Sequence, residues 1–174
     1  RELGCGLRFA TGHGPVLEPP IRGPADLDRL REPTTAAEGL GYVAEAISQT
    51  RAALPEDCPL IGFAGAPFTL AAYMIEGGGS RQFAATRALM YQQPECWHRL
   101  QEILTLTIIP YLQAQIAAGA QAVQLFDSWV GQLGDNDYRE FVLPYVQRII
   151  AELPAGIPVI CFGTGTRHLL PAMY

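Results

Sequence analysis

Tyr73, Asp127 and Ser128 are the residues whose type and position lend themselves first to chemistry. Asp127 and Ser128 follow the apolar run Ala122 to Phe126, and a carboxyl group at a strand end is a place for a catalytic acid or base. Each has a plainer reading on the residues alone. A tyrosine placed after a strand-to-helix loop is commonly a half-buried packing residue, and a serine there caps a turn. Gly163-Thr164-Gly165-Thr166 lies between a strand-like run and a helix, so an anion site fits there better than at Gly77-Gly78-Gly79-Ser80. The second run reads as a bend between helices.

What is missing narrows the chemistry further. All 12 basic residues are arginine, so Schiff-base lysine chemistry, a pyridoxal anchor and a Walker lysine have no residue within this sequence. His13, His98 and His168 are dispersed, as are Cys5, Cys58, Cys96 and Cys161. A metal site built from these alone is not expected, and unpaired cysteine spacing points to a reducing compartment. His13 reads as a solvated loop residue, His98 and His168 as surface or interface residues on helices. Asp135 and Asp137 read as charges at the start of a helix.

The elements that must position these groups follow from pattern and punctuation. Residues 1 to 33 are rich in Gly and Pro, and Thr11-Gly12-His13-Gly14-Pro15 reads as the turn of a hairpin or a covering loop. Thr35 and Glu38 have capping-box spacing, which predicts a helix running to about Leu54. Pro59 to Ala64 predicts a buried strand, and Phe68 to Glu76 a helical segment. Ser80 can cap a helix to about Gln92. Pro94 opens a long helix ending at Gly119, bent at Pro110. Ala122 to Phe126 is the next strand, Asp135 caps a helix to about Leu153, and Pro158 to Phe162 is a third strand before a last helix.

Strand, helix, strand, helix, strand describes α/β architecture with a parallel sheet covered by helices. Such sheets bind ligands at the carboxyl edge. Three or four such units make about half of an eight-stranded barrel. Both ends of the sequence read as cut, so residues 1–174 are expected to be one domain, truncated at both ends. The 174 residues carry 49% hydrophobic and 17% charged side chains, a globular composition. A net charge of −5 argues against nucleic acid or an anionic membrane surface as the default partner. No apolar run reaches the roughly 20 residues of a bilayer span, and no secretory signal opens the chain, so a cytoplasmic setting is expected.

Three blocks carry a resemblance. The first is Gly62-Phe63-Ala64-Gly65-Ala66-Pro67-Phe68-Thr69-Leu70 with Tyr73-Met74-Ile75-Glu76-Gly77-Gly78-Gly79-Ser80. The second is Gly119 to Ser128 followed by Gly131. The third is Pro158-Val159-Ile160 with Phe162-Gly163-Thr164-Gly165-Thr166. In this order they resemble the central part of the uroporphyrinogen decarboxylase family, and the similarity runs through essentially the whole chain.

The resemblance implies a segment of a (β/α)8 TIM barrel, homodimeric, acting on a tetrapyrrole with no metal or cofactor. It implies that Tyr73 is the active-site tyrosine and that Ser128 bonds a substrate carboxylate. Phe63 and Phe126 would line the cleft. The family's buried aspartate, its carboxylate-gripping arginines and a late histidine fall outside the residues present, which implies that this segment alone is inert. Cys161 stands where many bacterial relatives carry histidine, and its position is taken as structural.

Two other readings remain. Corrinoid or thiol methyltransferases of a related barrel hold zinc partly through a His-x-Cys pair, but Val159 occupies the histidine place here. A non-catalytic truncated paralogue, kept as a dimerisation module, is the other.

Overall fold

The computed structural model describes residues 2–10 and 14–173. An antiparallel hairpin opens it, with β1 (Gly6–Ala10) paired to β2 (Gly14–Glu18) and Arg8 opposite Val16. Its turn, with His13, lies outside the described residues. Short helices α1 (Pro24–Leu27) and α2 (Pro33–Glu38) lead to α3 (Gly41–Ala53). The single helix predicted from Thr35 to Leu54 is therefore two. Pro33 supplies the pre-set φ of a first turn, so the helix starts earlier, at the Glu32 cap, and Thr35 lies inside it. Two glycines flanking Leu40 then weaken the helix where the pattern alone would continue it.

Three βα units form the rest. β3 (Ile61–Gly65) is followed by α4 (Pro67–Glu76), α5 (Ala84–Gln92) and the long α6 (Pro94–Ala117). β4 (Ala122–Asp127) is followed by a 3-10 turn at Val130–Gln132, then α7 (Asp135–Phe141) and α8 (Leu143–Glu152). β5 (Val159–Gly163) precedes the one-turn α9 (Leu170–Met173). Pro144, in the first turn of α8, separates two helices where the Asp135 pattern predicts one. Asp135 is the first helical residue, and Gly134 holds the cap position. The helix α6 runs through Pro110 as one element and ends where Gly119, at φ +113°, enters a conformation open to glycine.

The sheet is parallel with strand order β3-β4-β5, Ala64 opposite Leu125 and Leu125 opposite Cys161. Sequential order without a reversal is what a section of a barrel wall shows, as does one half of a doubly wound sheet. The fold is α/β, a section of a (β/α)8 barrel. Its core lies between the sheet and α4, α6 and α8. Trp97, Leu100, Leu104 and Leu112 of α6 are fully buried there, with Val123 and Leu125 of β4 and Ile149 of α8. The Trp97 indole N–H donates to the carbonyl of Phe141 at 3.0 Å, which satisfies the one polar atom that this large side chain buries.

Alternation along the strands separates two faces. Gly62, Ala64, Val123, Leu125 and Asp127 are buried beneath the helices. Ile61, Phe63, Ile160 and Phe162 are exposed on the opposite side. The backbone N–H and C=O of Phe63, on the edge of β3 away from β4, pair with the side-chain amide of Gln115, both at 2.9 Å. Among the described residues no helix is long and apolar enough to cross a membrane.

Candidate functional site at the carboxyl edge of the sheet

The carboxyl end of β4 and the first turn of α4 are joined by a buried carboxylate. Asp127, at the last position of β4, faces the helix layer and is 6% exposed. Its Oδ1 accepts from the Thr69 hydroxyl at 2.8 Å and from the Thr69 N–H at 3.2 Å. Thr69 is the third residue of α4, so its N–H is one of the donors that a helix start leaves without an internal partner. Burial pushes the Asp127 carboxyl up to about 7, against the two bonds from Thr69 that favour its charged form. The same Thr69 oxygen receives a long 3.5 Å contact from the N–H of Trp129.

Tyr73 lies one helical turn after Thr69 and is half-buried. Its ring packs on Trp129 at a centroid separation of 4.1 Å, and Phe83 packs on the same indole at 4.9 Å. Among the described residues no group takes the Tyr73 hydroxyl. Phe83 is held at φ +50°, with its N–H bonded to the Ser80 hydroxyl at 3.0 Å. Ser80 thus acts just ahead of α5, whose first residue is Ala84. A second clamp of the Asp127 kind secures this helix: Glu76 Oε1 accepts from Thr86 N–H and Oγ at 2.9 and 2.8 Å. Gly77-Gly78-Gly79 is the bend between α4 and α5.

On the open face three phenylalanines run across the sheet. Phe63 meets Phe126 edge-on at 5.7 Å, and Phe126 meets Phe162 at 5.4 Å. Sequence reasoning placed Phe63 and Phe126 together and missed Phe162. Phe162 is the direct register partner of Phe126, a relation that appears only once the strand register is known. Among the described residues no ring contact joins this row to Tyr73.

Ser128 sits two residues beyond Phe126 and is half-buried. Its carbonyl accepts from the Thr164 hydroxyl, which ties the loops after β4 and β5 together. Gly131 permits that approach, since a Cβ there would lie 2.1 Å from the Thr164 carbonyl oxygen. Thr164 is therefore engaged within the protein.

The remaining candidates have structural partners. His98 Nδ1 lies 2.7 Å from the Tyr145 hydroxyl and its ring stacks on Phe141, linking α6 to the α7–α8 pair. His168 falls in the turn before α9 and not on a helix, with Nε2 2.7 Å from the Leu133 carbonyl. Asp135 accepts from Arg139 at 2.8 Å, and Asp137 from the Tyr91 hydroxyl at 2.7 Å. Cys161, opposite the buried Leu125, shares the helix-side parity and not that of the phenylalanines. An apolar hollow of about 520 Å³ lies between the hairpin, α4 and α6, lined by Leu17, Leu70, Met74 and Ile108 among others. It belongs to the helix side and takes in none of Tyr73, Ser128, Phe63 and Phe126.

The family model described as uroporphyrinogen decarboxylase (URO-D) matches residues 1–174. A uroporphyrinogen decarboxylase of Myxococcus xanthus is 55% identical over 158 residues, covering 90% of this chain and 45% of the relative. Those of Sorangium cellulosum and Thermus thermophilus are 51% and 48% identical, each covering 98% of this chain, and 49% and 50% of the relative. The chain thus spans about half the length of the curated relatives it matches. Among solved structures, a methyltransferase from Methanosarcina mazei superposes with a TM-score of 0.74 at 19% identity, covering 95% of this chain and 48% of that one. That likeness concerns the fold. The family match over its whole length and the identities near one half show that the chain belongs to the uroporphyrinogen decarboxylase family.

Proposed function

We propose that the protein containing this segment removes the four acetate carboxyls of uroporphyrinogen to give coproporphyrinogen. Losing CO₂ from an acetate needs an acceptor for the electron pair of the breaking C–C bond. The pyrrole itself serves: protonation at a ring carbon makes it electron-poor, the pair collapses into the ring as CO₂ leaves an exocyclic methylene, and protonation of that methylene with loss of the ring-carbon proton gives the methyl group, for a net uptake of one proton per CO₂. No metal or cofactor is required for that sequence. The protein's part is to hold the carboxylate arms and to favour the transient cationic pyrrole.

The observation that carries this reading is the open aromatic row of Phe63, Phe126 and Phe162, an apolar wall suited to a macrocycle. Tyr73 and Ser128 belong to the two elements at its carboxyl edge, and their free hydroxyls can bond substrate carboxylates. The zinc methyltransferase reading loses ground because Cys161 has the opposite parity to the open face and no histidine stands two places before it. Residues 1–174 are taken as one domain's share of a larger barrel, inert alone. The complete protein is taken as a cytoplasmic homodimer.

The test is an anaerobic assay of the protein from its full reading frame with uroporphyrinogen, followed by separation of the oxidised porphyrins by carboxyl number. A stepwise ladder from eight carboxyls to four, unaffected by chelator, is expected. Tyr73→Ala should lower turnover by about 100-fold or more. A folded wild-type protein that yields no ladder would overturn the proposal.

A further inference from the structure

The residues expected to meet substrate come from different elements, Tyr73 from α4 and Ser128 from the loop after β4. One side chain stands at the junction of both. Thr69 donates its hydroxyl to Asp127, the residue before Ser128, and accepts the N–H of Trp129, the residue after it. Its own N–H donates to the same Asp127 oxygen. Thr69 therefore straddles Ser128, holding the Asp127 side chain on one flank and the Trp129 backbone on the other. From the same residue α4 runs one turn to Tyr73, whose ring lies 4.1 Å from the indole of Trp129.

We propose that Thr69 is a positioning residue that sets Ser128 and Tyr73 in one fixed relation by binding both flanks of Ser128 from the first turn of the helix that carries Tyr73. The inference rests on the decarboxylase reading for its kinetic consequence, but its geometry stands on hydrogen bonds alone. Thr69 is 6% exposed, so water is poorly placed to substitute for either partner. The two bonds differ in kind. The one to Asp127 is short and involves a carboxyl group, whereas the one from Trp129 is long and yields first when the hydroxyl is lost.

Thr69→Val keeps the shape and the backbone N–H and removes both hydroxyl contacts, while Thr69→Ser keeps the hydroxyl. In the protein from its full reading frame, Thr69→Val should lower kcat for uroporphyrinogen by about 10- to 100-fold with KM changed by less than about threefold, and Thr69→Ser should restore most of the loss. A second readout is independent of activity. With 5-fluorotryptophan incorporated and the Trp97 and Trp129 resonances assigned by substitution to Phe, the Trp129 ¹⁹F signal should shift or broaden in Thr69→Val. The signal of Trp97, buried in α6, should stay in place. An active wild type with Thr69→Val turning over within twofold of it would overturn the proposal while leaving the decarboxylase reading intact. An inactive, folded wild type would remove that reading, and the ¹⁹F signals would then decide alone: an unmoved Trp129, or equal movement of Trp97, overturns the positioning role. Should Thr69→Val fail to fold, Thr69→Ala is to be read the same way, with Thr69→Ser as the folded control.

Discussion

The two faces of the β3-β4-β5 sheet are built from alternate residues of the same strands, yet they have been given opposite tasks. On the helix side Val123 and Leu125 are buried completely, and Asp127 is locked to Thr69. On the other side Phe63 is 59% exposed and Phe162 40% exposed, and both rings meet that of Phe126. A parallel sheet in a free-standing domain is ordinarily covered on both faces. Here one face carries the packed core, and the other is the face proposed for a ligand. The two meet at Asp127-Ser128, where a residue anchored under the helices is followed by one whose hydroxyl has no hydrogen-bond partner among the described residues.

The largest test of this division is on the packed side. Leu125→Ala empties a buried position between sheet and helices and should destabilise the protein by about 2–5 kcal/mol in chemical denaturation. A loss under about 1 kcal/mol would mean that the helix side is not where the stability lies.

Next comes the anchored carboxyl. The Asp127 carboxyl sits at about 7 in the folded protein against an ordinary 3.8. Below pH 3.8 it is protonated in both folded and unfolded chains. As pH rises from there to about 7, the unfolded chain releases this proton while the folded one retains it, so stability contributed by this group falls through that window and levels off above it. The decline is on the order of 4 kcal/mol at about 1.4 kcal/mol per unit. Tyr138 and Cys161 are the titratable groups nearest it, and burial followed by Asp127 itself holds both above their ordinary values, so neither ionises inside the window. Denaturation at pH 4.5 and 7.5 checks this: Asp127→Asn should flatten the difference, and an unchanged slope would place the proton elsewhere.

Much of this was legible in the sequence because apolar runs, glycines and prolines report local structure. The three strands, the Gly77-Gly78-Gly79 bend and the span of α6 were readable for that reason. Breaks inside helical patterns were not, since Leu40 and Val142 are apolar residues at breaks set by neighbouring glycine or proline. The role of Asp127 was hidden as well. Its partner Thr69 lies 58 positions away, and nothing in the local pattern tells a buried anchor from an exposed acid. Phe162 differs again: its parity with Phe126 appears only once the strand register is fixed, because a one-residue slip would turn it beneath the helices.

The smallest effect on stability belongs to that residue and sharpens the comparison most. Phe162→Ala removes one ring from the open row at the edge strand β5. It loses a single aromatic contact and leaves no enclosed cavity, so this chain should lose no more than about 1 kcal/mol. The same change removes part of the wall expected to face a macrocycle. In the protein from its full reading frame it should raise KM for uroporphyrinogen by about tenfold, the value of 1.4 kcal/mol of lost binding. If Phe162→Ala destabilised this chain as much as Leu125→Ala, the phenylalanine row would be core, and a ligand-facing role would lose its basis. A small stability change together with an unchanged KM would leave the face open but place the macrocycle against Phe63 and Phe126 without Phe162.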